Sequence, residues 1–319
     1  MLDHEYVRDA IFVAALLAAA YVGFLVMPNM LALLTRMISI MLLVLALDLV
    51  TGYAGVATLG HATLFGAGAY AAGIGASQYG VTDPLLMLAV GAAAGAVAGL
   101  VCGAVILRGR GLTQLVLSIA IVQLAHEAAN KGSSITGGSD GLSGIAPDPL
   151  FGMFRFDLFG RTAFWFAVAL VVLVVVALRV VMRSPFGMLC RGIKEDPVRI
   201  QSMGISVNGT LLRLYLISGV VAGLGGALSA ISTRVVGLDS LSFDLSANAL
   251  VMLVLGGVGN LAGAVVGTVI FVLFENQVSV ISPFHWLILV GLLLVAVVLF
   301  APSGVTGLFA RLFTTRQRP

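Results

Sequence analysis

The stretch "TGYAGVATLGHATLFGAGAY", residues 51–70, sets five glycines and a histidine into a chain that is otherwise strongly apolar. A glycine costs a helix interior about 1 kcal/mol relative to alanine. A histidine within hydrocarbon is rarely there without a role. On either side the sequence carries no charge, from residue 37 to 47 before it and from 71 to 82 after it. The pattern is that of helices in a membrane, interrupted at one place.

Composition extends this reading to the whole chain. The 319 residues are 60% hydrophobic and 10% charged, with a mean hydropathy of +1.12, whereas soluble domains carry about 25% charged residues. Apolar runs near the ~20 residues needed to cross a bilayer recur from end to end. They do not alternate as barrel strands do. The expected fold is therefore an all-α polytopic membrane protein. The first apolar run, 10–27, is flanked by Asp3, Glu5 and Asp9. A signal peptide requires a positive flank, so the run is read as a retained helix.

Hydropathy places ten segments near 10–27, 31–50, 58–78, 84–107, 111–129, 162–182, 211–232, 245–258, 261–281 and 286–301. The third and eighth are short or rich in glycine and are candidates for half-membrane helices. With the amino terminus inside, Arg108, Arg110, Arg183, Arg191, Lys194, Arg199, Arg213, Arg311, Arg316 and Arg318 become cytoplasmic, and only Lys131, Arg155, Arg161 and Arg234 fall outside. That asymmetry follows the positive-inside rule and puts both termini in the cytoplasm. It also explains the sequence pI of about 9.1 by topology, with no nucleic-acid partner. Ten segments divide into five plus five, and a duplicated five-helix unit sits in opposite orientations, as in inverted-repeat transporters. That division pairs the third segment with the eighth and its exit, "LVLGGVGNLAG" (253–263). The repeat stays open beside an undivided bundle of about ten transmembrane or half-membrane helices, a single transmembrane domain over 1–319.

Two extramembrane segments stand out. Residues 130–160 are rich in Gly, Ser, Pro and Asp, as an irregular external loop is. Residues 183–210 form the longest cytoplasmic loop, with the densest charge. Within it "EDPVRIQSMG" reads as a short helix, capped by Asp196, opened by Pro197 and ended by Gly204. Gly91, Gly95, Gly99 and Gly103 recur every four residues, Gly259, Gly263 and Gly267 repeat the spacing, and Gly219 with Gly223 adds a shorter copy. Such stripes let membrane helices pack closely.

Chemistry on the chain itself finds little footing. The only two lysines sit in "NKG" and "IKE", so no Gly-Lys-Ser/Thr P-loop exists. "HEAAN" (126–130) lacks the second histidine of a zinc-protease helix, and Ser143 of "GLSG" lies in the external loop. Cys102 and Cys190 lack metal-ligand spacing and fall near cytoplasmic helix ends, where a structural disulfide is not expected. Ionisable residues inside membranes usually face a bundle interior or a watery cavity. His126, Glu127 and Arg36 can reach an interface. The pathway candidates are His61 and Glu275, with Asp48, Thr63 and Tyr70 beside them in the glycine-rich region; Asp48 is also placed to cap the turn that begins at Thr51.

These motifs converge. "LDLVTGYAGVATLGHATLFGAGAY" (47–70), "TGGSDGLSGI" (136–145), "RSPFGMLCRGIKEDPVRIQSMGISV" (183–207), "SGVVAGLGGAL" (218–228), "LGGVGNLAGAVVG" (255–267) and "APSGVTGLF" (301–309) occur in order along almost the whole chain. Together they resemble the branched-chain amino-acid type of ABC-transporter permease, the LivM family. Asp48 stands where that family more commonly has asparagine, Thr58 where it has serine, and Arg199-Ile200 where it has small residues. The resemblance implies an importer for branched-chain or related hydrophobic amino acids, with urea, short amides or aromatic acids as alternatives. It implies a bacterial inner-membrane location and four kinds of company: a second related permease subunit, two cytoplasmic ATPase subunits holding ATP and Mg, an external substrate-binding protein and membrane lipid. No cofactor, metal or catalytic residue is expected on this chain. The coupling contact to an ATPase is expected around Arg191, Lys194, Glu195, Asp196, Arg199 and Gly204. The reading from a different class is an ion-coupled secondary transporter working through its intramembrane acids.

Overall fold

The computed structural model describes residues 2–150, 152, 154–156 and 160–281, with single positions and short runs at 288, 289, 291, 292, 295, 299 and 304–307. The tenth segment, 286–301, lies largely outside the described residues, and Arg311, Arg316 and Arg318 lie wholly outside them.

The described chain is helical. The long elements are α1 (Leu2–Val26), α2 (Leu31–Leu47), α3 (His61–Tyr79), α4 (Pro84–Ile106), α5 (Leu112–Lys131), α7 (Arg161–Arg183), α10 (Val207–Thr233), α11 (Phe243–Gly256) and α12 (Leu261–Ile281). Short helices α6 (Ser133–Thr136), α8 (Pro185–Glu195) and α9 (Pro197–Ser202) lie between them. Among the described residues six helical stretches are long and apolar enough to cross a membrane: Pro28–Tyr53, Pro84–Ile106, Leu112–Lys131, Arg161–Arg183, Val207–Thr233 and Leu261–Val280. Apolar helices Ala10–Val26 and Phe243–Gly256 are shorter. Of the ten expected segments, six are full-length candidates, the first and eighth are the shorter apolar helices, the third is the glycine-rich α3, and the tenth lies largely outside the described residues.

Local chemistry sets the helix ends. Asp83 opens α4 by accepting from the Leu85 and Leu86 N–H groups, with Pro84 at the first helical position. Gly80 closes α3 at φ 66°, its N–H donating to the Gly75 carbonyl. The segment 183–210 holds more than the single short helix expected. Before α9 comes α8, an eleven-residue amphipathic helix.

The core is the contact of α10 with α2, α3 and α4. Its closest approach is made by glycine, since a Cβ added at Gly95 would lie 2.2 Å from the Gly219 oxygen. Likewise a Cβ at Gly99 would meet the Tyr215 oxygen at 2.4 Å, one at Gly223 the Gly91 oxygen at 2.3 Å, and one at Gly103 the Tyr215 Cβ at 2.8 Å. Gly68 of α3 meets Gly223 in the same way. Real Cβ atoms do not come so close, so only glycine permits this spacing. The second stripe needs a correction. Gly263 and Gly267 face Gly256, Gly257 and Met252 across the α11–α12 corner, but Gly259 lies in the turn itself, at φ 84°. It shapes a turn and is not part of a helix face.

The two glycine-rich stretches paired in the sequence also meet in the fold. Gly52 and Gly259 pack against each other, so both turns lie at one end of the bundle. The first of these turns precedes α3 and the second follows α11, so they hold different places in the two segments. Instead the first turns of α3 and α11 overlap. The Ala62 N–H donates to Ser246 Oγ at 2.9 Å, and Leu241, just before α11, packs on Gly66. From there α3 runs toward the end where Thr82 meets Asp148, and α11 runs toward the glycine turns.

Candidate functional site

The site is built around the junction of α2 and α3. The α-helix α2 loosens into a π-type turn, Asp48–Tyr53, and the chain then crosses residues 54–60 before α3 starts. Asp48 is fully buried, and its Oδ1 accepts the Gly259 N–H at 2.7 Å. Its Oδ2 has no hydrogen-bond partner. Contrary to expectation, Asp48 does not cap the turn at Thr51. That turn closes itself, through Thr51 Oγ1 donating to the Val56 oxygen and Val56 N–H donating to the Val50 oxygen. Gly52 leaves the room that the carboxylate needs, because a Cβ there would fall 1.9 Å from Asp48 Oδ1.

The loop 183–210 reaches this junction from α8. Lys194 Nζ donates to the Gly52 oxygen at 2.7 Å, and the Arg191 guanidinium lies 5.2 Å over the Tyr53 ring. One helical turn separates the two residues, so both project from one face of α8. The sequence puts Arg191 and Lys194 together with Glu195, Asp196, Arg199 and Gly204 on one coupling surface, and the structure divides them. Arg191 and Lys194 engage this chain's own turn while staying exposed, and Glu195, Asp196, Arg199 and Gly204 are exposed without touching it. Asp196 caps α9 by accepting from the Val198 and Arg199 N–H groups at 3.0 Å, and Gly204 follows at φ 82°. Between them Val198 and Met203 are 73% and 68% exposed, two apolar side chains on a polar loop.

His61, at the start of α3, is fully enclosed. Its Nε2 lies 2.9 Å from Ser218 Oγ, whose hydroxyl donates to the Ala46 oxygen at 2.8 Å. That direction assigns the proton to Nε2. Nδ1 has no partner, and the ring lies 6.2 Å from that of Tyr215. His61 thus ties α3 to α10 and, through Ser218, to α2. Enclosed in this way, it braces three helices at the start of α3. Replacing Ser218 by alanine leaves the Nε2–H buried without an acceptor, which should cost about 1–3 kcal/mol. A thermal melt of the purified variant unchanged from the parent would contradict this bracing role.

The other candidates scatter. Thr63 lies at the foot of a groove of about 660 Å³ between α3, α4 and α5, walled by Ala67, Ala94, Ala98, Ile121 and Ala125. Tyr70 is buried with its hydroxyl unpartnered. Glu275 of α12 faces Arg36 of α2, far along the chain from the junction. Sequence reading misses Ser218 and Ser246, the two hydroxyls that hold the start of α3. Their signal is a lone serine in an apolar helix, as in "YLISGVV" (215–221).

The family model described as "Branched-chain amino acid transport system / permease component" matches residues 29–298. The high-affinity branched-chain amino acid transport system permease protein LivM of Salmonella typhimurium is 28% identical over 95% of this chain and 76% of its own length. LivM of Escherichia coli is 27% identical over the same shares. The probable branched-chain amino acid transport permease protein LivH of Methanocaldococcus jannaschii is 29% identical, over 50% of this chain and 53% of its own. No solved structure matches. With that match over most of its length, on a bundle of apolar helices, the chain belongs to the family of branched-chain amino acid transport permeases, a group of integral membrane proteins.

Proposed function

We propose that this chain is the membrane permease subunit of an ATP-driven importer for branched-chain or related hydrophobic amino acids. It works in a bacterial inner membrane, both termini and the α8–α9 loop in the cytoplasm, the 130–160 loop outside. Its partners are a second related permease, two ATPase subunits that carry ATP and Mg, and an external substrate-binding protein. The observation that supports this best is the exposed end of the α8–α9 pair. A capped short helix presents Val198 and Met203 beside Glu195 and Arg199, apolar contacts with a charged rim, as protein interfaces have. An ATPase groove seated there delivers the stroke of nucleotide binding to the loop.

The test is reconstitution with the natural partners and measurement of uptake of leucine, isoleucine and valine. ATP-dependent uptake is expected, and the ligand retained by the binding protein decides between these amino acids and urea, short amides or aromatic acids. Robust ion-coupled uptake by this chain alone would establish the secondary-transporter reading instead. Within the working complex, Gly204→Val forces a branched side chain into the left-handed region at φ 82°. It should lower uptake about tenfold while ligand binding to the external protein persists. Unchanged uptake would argue against α9 as the coupling contact.

A further inference from the structure

We infer that Lys194 is a positioning residue through which movement of the α8–α9 pair reaches the two glycine turns at 48–55 and 257–261. The inference rests on the importer reading above and assigns the part of the coupling loop that touches this chain's own turns.

The α8–α9 pair is built to move as one piece. Asp196 N–H closes α8 on the Gly192 oxygen at 2.9 Å, and the same residue's carboxylate caps α9. Ile200 of α9 packs on Gly192, where an added Cβ would lie 2.9 Å from Ile200 Cδ1. No flexible linker separates the helices, since Asp196 alone stands between them. A displacement of exposed α9 therefore carries α8 with it.

From α8, Lys194 enters the junction. Its stem lies across Gly55, where a Cβ would come within 2.9 Å of Lys194 Cγ, and Gly55 has φ 73°. Its ammonium is bonded to the Gly52 oxygen and lies 3.9 Å from the place of a Cβ on Gly259. Gly259 in turn is held by Asp48. One flexible cationic side chain thus touches both turns, the one leading into α3 and the one leading into α12. The small residues at 52, 55 and 259 make that reach possible.

The node also holds an unmet demand. Asp48 Oδ2 is buried without a hydrogen bond, and the Lys194 charge acts on the same carboxylate without an ion pair within 4.0 Å among the described residues. A small shift of α8 exchanges the Gly52 carbonyl for that oxygen as the ammonium's partner. Burial makes the choice between a carbonyl and a carboxylate partner consequential. The turns are then held differently in the two positions of the loop.

The test uses the assembled transporter and compares ATP hydrolysis with uptake. Lys194→Met keeps the stem and removes the ammonium. Hydrolysis is expected to persist while uptake per ATP falls about tenfold. In Lys194→Cys, reaction with bromoethylamine rebuilds a lysine-like side chain and should restore uptake. The native thiols are poor competitors: Cys102 is buried, and burial pushes the Cys190 thiol up to about 11. Should Lys194→Met not assemble, this second variant decides. Uptake per ATP at the wild-type level in either unrestored variant overturns the inference. So does a parallel loss of hydrolysis and uptake that aminoethylation leaves unrepaired, the mark of a purely structural role. Lack of ATP-driven uptake by the wild type is a separate outcome and refutes the importer reading itself.

Discussion

Gly95→Leu should abolish the native bundle in detergent, or lower its thermal midpoint drastically. Position 95 has no pocket into which a side chain can turn, because its first carbon would already lie 2.2 Å from a carbonyl oxygen of α10 and 2.7 Å from the Gly223 Cα. The neighbouring atoms are backbone, so relief requires moving α4 off α10. Overpacking of this kind costs about 3 kcal/mol or more, a large share of the ~5–15 kcal/mol that holds a folded protein together. The control lies half a turn away. Val97 is 61% exposed on the opposite face of α4, and Val97→Leu should change stability by less than about 0.5 kcal/mol. Equal melting of the two variants would mean that the glycine stripe does not set the helix spacing.

The second large effect is expected at the α2–α3 junction. Gly52→Ala drives a methyl group to 1.9 Å from Asp48 Oδ1 and 2.6 Å from the Gly259 nitrogen. The bond between those two groups must break. The loss combines steric strain with an orphaned buried N–H, about 2–4 kcal/mol in all. Asp48 substitutions separate the parts. Asp48→Asn keeps an acceptor for Gly259 and should stay within about 1 kcal/mol of the parent, whereas Asp48→Leu removes it and should cost about 1–3 kcal/mol. Thermal midpoints of the three purified variants rank them. A wild-type midpoint for Gly52→Ala would show that this contact relaxes without cost.

Much of this architecture is legible in the residue order. Hydropathy marks α2 to α5, α7 and α10 to α12 to within a few residues, and the end of α1 but not its polar start, because a run of apolar side chains long enough to span has few other conformations available. The Asp196-Pro197 start and Gly204 stop of α9 are legible for the same local reason: capping is decided by adjacent residues. What escapes is set by contacts remote in sequence. Asp48 bonds a backbone N–H 211 positions away, and Lys194 a carbonyl 142 away. A carboxylate next to a plausible turn looks like a local cap until the fold brings a better donor. The amphipathic α8 escapes because its glycines and charges resemble a loop's, and only its seat against the 48–53 turn shows which face is buried. His61 stands out in the sequence as an unusual residue for hydrocarbon, and its bond to Ser218 of α10 becomes visible only in the fold.

The glycine contact between α4 and α10 also limits how the molecule can change shape. Where two helices touch through side chains, a rotamer change can absorb a small slide. Here α3, α4 and α10 meet largely backbone to backbone, and the side-chain atoms at the closest points include the Cβ atoms of Ala227 and Tyr215, which no rotamer change can move. Packed interfaces of this kind hold or separate and do not deform gradually. These three helices are therefore expected to move as one rigid body. Hinge motion is left to the turns at 48–60 and 257–260 and to α5 and α12 at the periphery.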